Sequence, residues 1–188
     1  DIAVNSNETI EPRTNPEHDF EYIELADINQ TIGVIENAKI IKGKDAPSRA
    51  RMLLRSGDII ASSVEGSLDK VALVSEEYDG AIGSTGFFVL RPRTVSSGYL
   101  LALIKSIIVR EQMHCEASGT ILSAVPAKSL KNIIVPNIPP EKQDEISALV
   151  QQSHTARREA KNLLEKAKRA VETAIEEGEE RAMEYLNR

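Results

Sequence analysis

Residues 118–146 read SGTILSAVPAKSLKNIIVPNIPPEKQDEI, and this stretch decides how the chain is divided. It passes from a small polar turn through a β-like apolar run into Pro139 and Pro140, after which no proline follows. Proline lacks a backbone donor but is tolerated in the first turn of a helix, so the double proline favours a helix start. The stretch therefore predicts two domains, residues 1–138 and residues 139–188.

Short apolar runs separated by turn residues characterise the first domain. They predict strands within residues 20–28, 59–63, 70–74, 87–90 and 131–135, with a further apolar run at 33–41. The run at 87–90 is expected to stop at Arg91-Pro92, because proline lacks the ladder donor. From 98 to 109 the apolar residues recur at helical spacing. The pattern predicts an α+β fold, in which a mixed α/β domain is followed by a long C-terminal coiled-coil-type helix.

The C-terminal segment carries a regular heptad seam. Its small and apolar residues recur at alternating steps of three and four. At about 1.5 Å per residue, residues 141–176 would form a rod of roughly 50 Å, too long to pack along the first domain, so it requires a partner helix. The seam residues predicted to pair are Ile146, Leu149, Ala156, Ala160, Leu163, Ala167, Ala170 and Ala174.

The composition excludes several classes of protein. Hydrophobic residues make up 41% of the chain, which is enough for a core, and no apolar run reaches the roughly 18 residues of a membrane span. The single cysteine, Cys115, fits a reducing cytoplasm. The net charge of -6 argues against a protein that coats nucleic acid indiscriminately, because that role requires a broadly basic surface.

The charges are unevenly distributed along the chain. Residues 1–27 contain eight acidic side chains and one basic side chain, Arg13. Residues 39–55 contain six basic side chains and one acidic side chain, Asp45. This second segment predicts a local cationic patch on an acidic protein.

Catalytic and metal-binding patterns are not evident. The three histidines are scattered without metal-ligand spacing, and the glycines at 80–86 match neither a phosphate loop nor a dinucleotide fingerprint. Residues 137–140 read NIPP, which lacks the aromatic residue of the adenine methyltransferase motif. We therefore predict no catalytic residue and no metal ligand.

Several polar residues on predicted loops suit contact with DNA. Arg49 and Arg51 lie two positions apart, so in an extended segment both would project to one side, towards phosphates or the O6/N7 edge of guanine. Hydroxyl groups near turns can also donate to the DNA backbone or bases. The predicted DNA-binding residues are Lys42, Lys44, Arg49, Arg51, Ser62, Ser63, Lys70, Ser84 and Thr85.

Seven segments, taken together and in order, resemble the specificity subunits of type I restriction-modification enzymes. The resemblance covers about residues 20–176, and the usual Pro-x-x-Glu-Gln is here Pro139-Pro140-Glu141-Lys142-Gln143, with lysine where glutamate is common. The segments are APSRAR at 46–51, SGDIIASSV at 56–64, KVALV at 70–74, IGSTGFFVLRP at 82–92, GYLLALIKS at 98–106, SGTILSAV at 118–125 and LKNIIVPNIPPEKQDEI at 130–146.

The resemblance implies a target recognition domain that reads one half of a split DNA site, followed by a spacer helix that packs antiparallel against a second one. It also implies a subunit without catalytic activity or cofactor. Modification subunits would methylate adenine with S-adenosylmethionine, and a restriction subunit would cleave. With one domain and one helix, the chain would be either a half-size subunit that forms a homodimer or a piece of a longer chain.

Two alternatives stay open at this point. The chain could be the DNA-recognition portion of a larger fused adenine-N6 methyltransferase, which the absence of an initiating methionine favours slightly. It could also be a scaffold whose α/β domain binds protein rather than DNA and whose helix dimerises.

Overall fold

The computed structural model describes residues 1–118 and 123–186. Residues 119–122, which form the middle of the SGTILSAV segment, and residues 187–188, at the end of the predicted helical domain, lie outside the described residues. The chain divides into two compact units, Asp1–Val150 and Gln151–Arg188. The predicted division at residue 138 stays a prediction, because the units separate within the long helix.

Ten short strands form two sheets in the described part of the first unit. The six-stranded sheet has the order β1-β10-β7-β8-β4-β3, and the four-stranded sheet has the order β5-β2-β9-β6. Neighbouring strands are antiparallel except for β4 with β8 and β2 with β9, which are parallel. The strands are β1 (Ala3–Asn5), β2 (Asp19–Ile23), β3 (Ile28–Asn29), β4 (Val34–Ile35), β5 (Lys39–Lys42), β6 (Ala50–Leu53), β7 (Ile59–Ser62), β8 (Val71–Leu73), β9 (Ile82–Ser84) and β10 (Phe87–Pro92).

The six-stranded sheet is buried on both faces. Successive side chains of a strand point to opposite faces, and Ile59 and Phe88 accordingly join one core while Ile60 and Phe87 join another. Helices α1 (Ser97–Lys105) and α2 (Ile107–Glu116) contribute to the first of these cores, which contains Leu100. This two-sided burial explains why the β7 and β10 segments are continuous apolar runs.

Two predicted elements end differently in the structure. The helical run 98–109 is interrupted at Ser106, whose backbone is extended and whose hydroxyl accepts the Val109 N–H to cap α2. Strand β10 continues through Arg91 and ends at Pro92, which pairs with Ala3 of the edge strand β1. A proline at the last strand residue removes no donor from the interior of the ladder.

The strand predicted at 131–135 is absent from the structure. Residues Ala127–Asn132 form a short 3-10 helix, and the following segment is extended without a strand partner. The amide of Gln112, on α2, takes the place of that partner. Its Oε1 accepts the Ile134 N–H at 2.7 Å, and its Nε2 donates to the Ile134 carbonyl at 2.9 Å.

The predicted long helix is confirmed as α3 (Pro140–Glu177), with α4 (Glu179–Leu186) after it. Gly178 separates the two helices with a φ of +97°, a left-handed conformation that favours glycine. Within the first unit, Ile146 and Val150 pack against the core that contains Leu100. Among the described residues, no helix combines the length and the apolar character that crossing a membrane requires.

Gly98 allows α3 to begin close to α1. A Cβ atom on Gly98 would lie 2.6 Å from the Ser147 Oγ and 3.1 Å from the Ser147 Cα. The second of these contacts is with backbone, so a larger residue at position 98 would push the first turns of α3 outwards.

Candidate nucleic-acid interface

The basic segment 39–55 is paired with the acidic N-terminal segment. Strand β2 lies antiparallel to β5, which brings acidic residues of β2 and its flanks beside the lysines of β5. All six basic side chains of residues 39–55 have an acidic partner within salt-bridge distance. The pairs are Lys39–Glu24 at 2.5 Å, Lys42–Glu17 at 3.6 Å, Lys44–Glu17 at 3.0 Å, Arg49–Glu24 at 2.7 Å, Arg51–Glu11 at 2.6 Å and Arg55–Glu8 at 3.8 Å.

Because of these salt bridges, the predicted cationic patch has less net positive charge than its six basic residues alone would give it. Lys42 and Lys44 share Glu17, and Lys42 also lies 3.8 Å from Asp19. Both lysines are exposed, so they can still reach a ligand, but their charge is largely balanced by neighbouring carboxylates. Exposed pairs of this kind contribute at most about 1 kcal/mol to stability, so their main effect is on the surface charge.

Arg49 makes side-chain hydrogen bonds with two residues that are neighbours of Ile23. Its Nε donates to the Tyr22 hydroxyl at 3.0 Å, and its Nη2 donates to Glu24 Oε2 at 2.7 Å. These bonds, that with Tyr22 foremost, raise the pKa of Arg49. The hydrogen bond from Lys39 holds the pKa of Glu24 below its ordinary value of 4.5, against the opposing effect of burial.

Arg51 does not share this environment. The pairing of β6 with β9 contains a bulge between Ala50 and Met52, which interrupts the alternation expected of an extended segment. Arg51 therefore bonds elsewhere, with Glu11 and with the Ser48 carbonyl at 2.9 Å. The different partners give no support to the expectation that the two arginines act from one side, which stays a prediction.

The predicted hydroxyl groups differ in their access to a ligand. Ser62 is fully buried and its Oγ lies 2.9 Å from the Ser67 Oγ, while Ser84 is buried and accepts the Gly86 N–H. Their direction into the domain contradicts the expectation that these two hydroxyls face DNA. Strand pairing fixes the direction of the two serine side chains. The composition of the predicted loops did not indicate this direction.

Ser63, Thr85 and Arg49 are brought together at one edge. The Thr85 N–H donates to the Arg49 carbonyl at 2.8 Å, and both the N–H and the hydroxyl of Ser63 donate to the Gly86 carbonyl at 2.9 Å. Arg49, Ser63, Thr85 and Gly86 thus form a continuous rim where the two sheets meet, which we call the Arg49 edge. Lys70 lies apart from these bonds, because its Nζ donates to the Ile28 carbonyl at 3.1 Å.

Two residues of this site were not predicted from the sequence. Tyr22 and Glu24 flank the buried Ile23 at the end of β2, and their spacing of two in extended backbone is the signal that could have indicated a common direction. Their contact with Arg49 spans more than twenty positions of the chain, so it depends on the order of the strands in the sheet.

A small polar cavity lies elsewhere in the first unit. It has a volume of about 210 Å³ and is lined by Gln30, Leu68, Asp69, Ile104, Lys105 and Arg110. Burial lowers the pKa of Lys105, whose Nζ donates to the Gln30 carbonyl. Throughout residues 1–118 and 123–186, no three histidine, cysteine or acidic side chains are grouped so that they could hold a metal ion.

The predicted helix-pairing residues fall into different environments. Leu149 and Leu163 are 65% and 66% exposed, so both are available to a partner. Ala156, Ala160 and Ala167 are also exposed, Ala174 is half-buried and Ala170 is buried. Ile146 instead packs against the core of the first unit.

Comparison with known proteins finds relatives among solved structures. No protein-family model matches the chain, and no curated protein matches it. The HsdS subunit from Thermoanaerobacter tengcongensis is 33% identical with a TM-score of 0.72, over 93% of this chain and 44% of that chain. A chain from a study of complex assembly and conformational transition in the type I R-M system is 33% identical with a TM-score of 0.71, over 93% and 45%. The present chain spans less than half the length of these relatives.

Proposed function

Because this chain belongs to the HsdS specificity subunits of type I restriction-modification systems, we propose that residues 1–150 recognise one half of a bipartite DNA site. The observation that carries the proposal is the 33% identity to the HsdS subunit, which extends over 93% of the chain. HsdS subunits are non-catalytic components, so the chain would direct chemistry performed by others.

The Arg49 edge is our candidate for the DNA-facing surface. It presents an arginine, two hydroxyl-bearing residues and a glycine at the junction of two sheets, a combination suited to both phosphate and base contacts. Lys42 and Lys44 would position the duplex through phosphate. Ser62 and Ser84 are left out of this surface because they are buried.

The proposed partners follow from the family. Modification subunits would bind the chain and methylate adenine with S-adenosylmethionine, and a restriction subunit would cleave DNA. The exposed Leu149 and Leu163 of α3 would pair with a second spacer helix, from another copy or from the rest of a parent chain. The chain itself would bind no cofactor and would act in the cytoplasm with its partners.

The test is selection of DNA sites by the complex reconstituted with its modification subunits. We expect duplexes recovered from a random library to share two short base patterns at a fixed spacing, and adenines within them to be methylated. The same selection with modification subunits alone is the control. Recovery of unrelated sequences by the complete complex would contradict the proposal.

A further inference from the structure

We infer that Arg49 reads a guanine through the Nη1–Nη2 end of its guanidinium, and that Tyr22 and Glu24 are positioning residues that hold it for this contact. The inference rests on the proposed function and deepens it. It assigns a base class to one side chain of the Arg49 edge and roles to two residues that do not touch DNA.

The hydrogen bonds of Arg49 leave the required donors free. A guanidinium has five N–H donors, one on Nε and two on each terminal nitrogen. The Nε donor is taken by Tyr22 at 3.0 Å, and one Nη2 donor is taken by Glu24 at 2.7 Å. Both bonds use the Nε–Nη2 side, so both Nη1 donors and the second Nη2 donor remain. Guanine presents two acceptors, O6 and N7, in the major groove, which matches a pair of parallel donors.

The partners of Arg49 are themselves fixed by the fold. Tyr22 is buried on β2, where it pairs with Lys39 of β5 on one side and Ile82 of β9 on the other. The Glu24 N–H donates to the carboxylate of the buried Asp27 at 2.8 Å, which anchors its backbone. Because both partners of Arg49 are held in place by these contacts, Arg49 loses less side-chain freedom on binding than an unsupported arginine does.

The net charge of Arg49 and its charged neighbours, Glu24 and Lys39, is also suited to contact with a base edge in DNA. Glu24 accepts from both Lys39 and Arg49, so the three side chains together carry one positive charge. Arg49 is nevertheless 60% exposed at its side chain, so its outer end is open to a ligand. A partly balanced arginine gains less from non-specific phosphate contact and depends more on a matching pair of acceptors.

Arg51 provides a matched comparison within the same segment. It also bonds through Nε and Nη2, but its partners are the exposed Ser48 carbonyl and Glu11, whose side chain is 40% exposed. It therefore lacks a buried partner such as Tyr22, and we expect it to contribute to affinity without fixing a base.

The experiment compares site selection by the reconstituted complex containing wild-type chain or the variants Arg49→Ala, Arg49→Lys, Tyr22→Phe, Glu24→Gln and Arg51→Ala. We expect Arg49→Ala to reduce the preference for guanine at one position by about tenfold or more, with the other positions retained. Arg49→Lys should not restore the guanine preference, because lysine lacks the planar pair of parallel N–H donors that arginine has. Tyr22→Phe and Glu24→Gln should weaken the same preference partially, and Arg51→Ala should leave it intact.

The outcomes separate this inference from the proposed function. An unchanged profile for Arg49→Ala, or a uniform loss of affinity with the guanine preference intact, would overturn the inference and leave the proposed function standing. A wild-type complex without any base preference would overturn both. Tyr22→Phe preserves the ring and its packing, so an equal thermal unfolding midpoint, with a changed preference at one position only, identifies a positioning role.

Discussion

The carboxylate of Asp58 is almost completely buried and lies at the centre of a small network. Arg91 donates to it from Nε at 2.9 Å and from Nη2 at 3.1 Å, and the Arg55 N–H donates to it at 3.1 Å. The remaining Nη1 of Arg91 reaches Glu8, near the N terminus, at 2.8 Å. These bonds, those with Asp58 foremost, raise the pKa of Arg91.

Removing this buried carboxylate should destabilise the first unit. We expect Asp58→Ala to lower the free energy of unfolding by roughly 3 kcal/mol, because the Arg55 N–H and the Arg91 guanidinium lose a charged acceptor. Urea denaturation measures the change. Glu8→Gln is the control, since Glu8 is an exposed partner of the same arginine and should have a much smaller effect. Equal losses for the two variants would contradict the central role of Asp58.

Glu24 should give the stability of the domain a dependence on acid pH. Its pKa in the folded state is lowered, chiefly by the hydrogen bond from Lys39, so the folded state binds a proton less readily than the unfolded state. The stabilisation is therefore complete above the ordinary value of 4.5 and is lost as the pH falls through the lower, folded pKa. Unfolding measured between about pH 6 and pH 3 should show a steeper decline for the wild type than for Glu24→Gln. An equal decline of stability with falling pH in the wild type and in Glu24→Gln would refute this dependence.

Residues of the Arg49 edge show what the sequence reveals about such a site. Arg49 was predicted to contact DNA because it is basic and lies in an extended, turn-rich segment, and this stays a prediction. The burial of Ser62 and Ser84 contradicts the prediction that they face DNA. Composition does not indicate which hydroxyl group of a strand or turn points inwards. Tyr22 and Glu24 were missed because their role depends on strand neighbours that are distant in sequence.

At the scale of elements, the extended segment after the short 3-10 helix is bonded to the side chain of Gln112. Gln112 bonds to both backbone groups of Ile134 and also donates to the Ile108 carbonyl at 3.1 Å. Ile133 and Val135 pack on the core, while Ile134 is 77% exposed. The apolar run that predicted a strand is extended in the structure, but a glutamine supplies the hydrogen bonds instead of a neighbouring strand.

Replacement of Gln112 should release this segment selectively. Gln112→Leu should lower the free energy of unfolding by about 1–2 kcal/mol and abolish the hydrogen-exchange protection of the Ile134 amide. Gln112→Glu is the matched variant, because its carboxylate can still accept the Ile134 N–H. Protection of that amide in Gln112→Leu equal to the wild type would contradict the assignment.

At the scale of the whole molecule, the acidic and basic segments of the sequence cancel locally. The composition predicted a cationic patch on an acidic protein, and both segments are indeed present. The antiparallel pairing of β2 with β5 then places acidic residues beside basic ones. The distribution of charges along the sequence does not show this contact. Phosphate contact by this face therefore depends on how many cations the carboxylates leave available.

The salt dependence of DNA binding tests this balance. Glu17→Gln removes the described carboxylate partner of Lys44 and leaves Lys42 with Asp19, so the slope of log K against log salt concentration for the reconstituted complex should steepen by about one. Glu21→Gln is the control, since it removes the same charge from the exposed side of β2 without breaking a described salt bridge. An equal change in both variants would show that total charge, and not the pairing, controls the slope.

The exposed leucines of α3 lead to a separate prediction about helix pairing. Leu149→Glu combined with Leu163→Glu should abolish helix pairing, because each apolar side chain would be replaced by a charge at the proposed contact. Thermal unfolding of the first unit should be unchanged, since neither leucine is part of its core. Sedimentation at several protein concentrations measures the pairing, and Lys161→Glu controls for the added charge. A wild-type mass that stays monomeric at all concentrations would argue against pairing between copies.

The pairing of the two charged segments also constrains how this domain can diverge. A substitution that removes an acidic residue beside the basic segment adds attraction for DNA of any sequence before it alters any base preference. A new specificity reached by that path would begin with tighter and less selective binding, and regaining discrimination would require a compensating loss of a cation. Changes in the two segments are therefore expected to be tolerated more readily as exchanges of a pair than as single replacements.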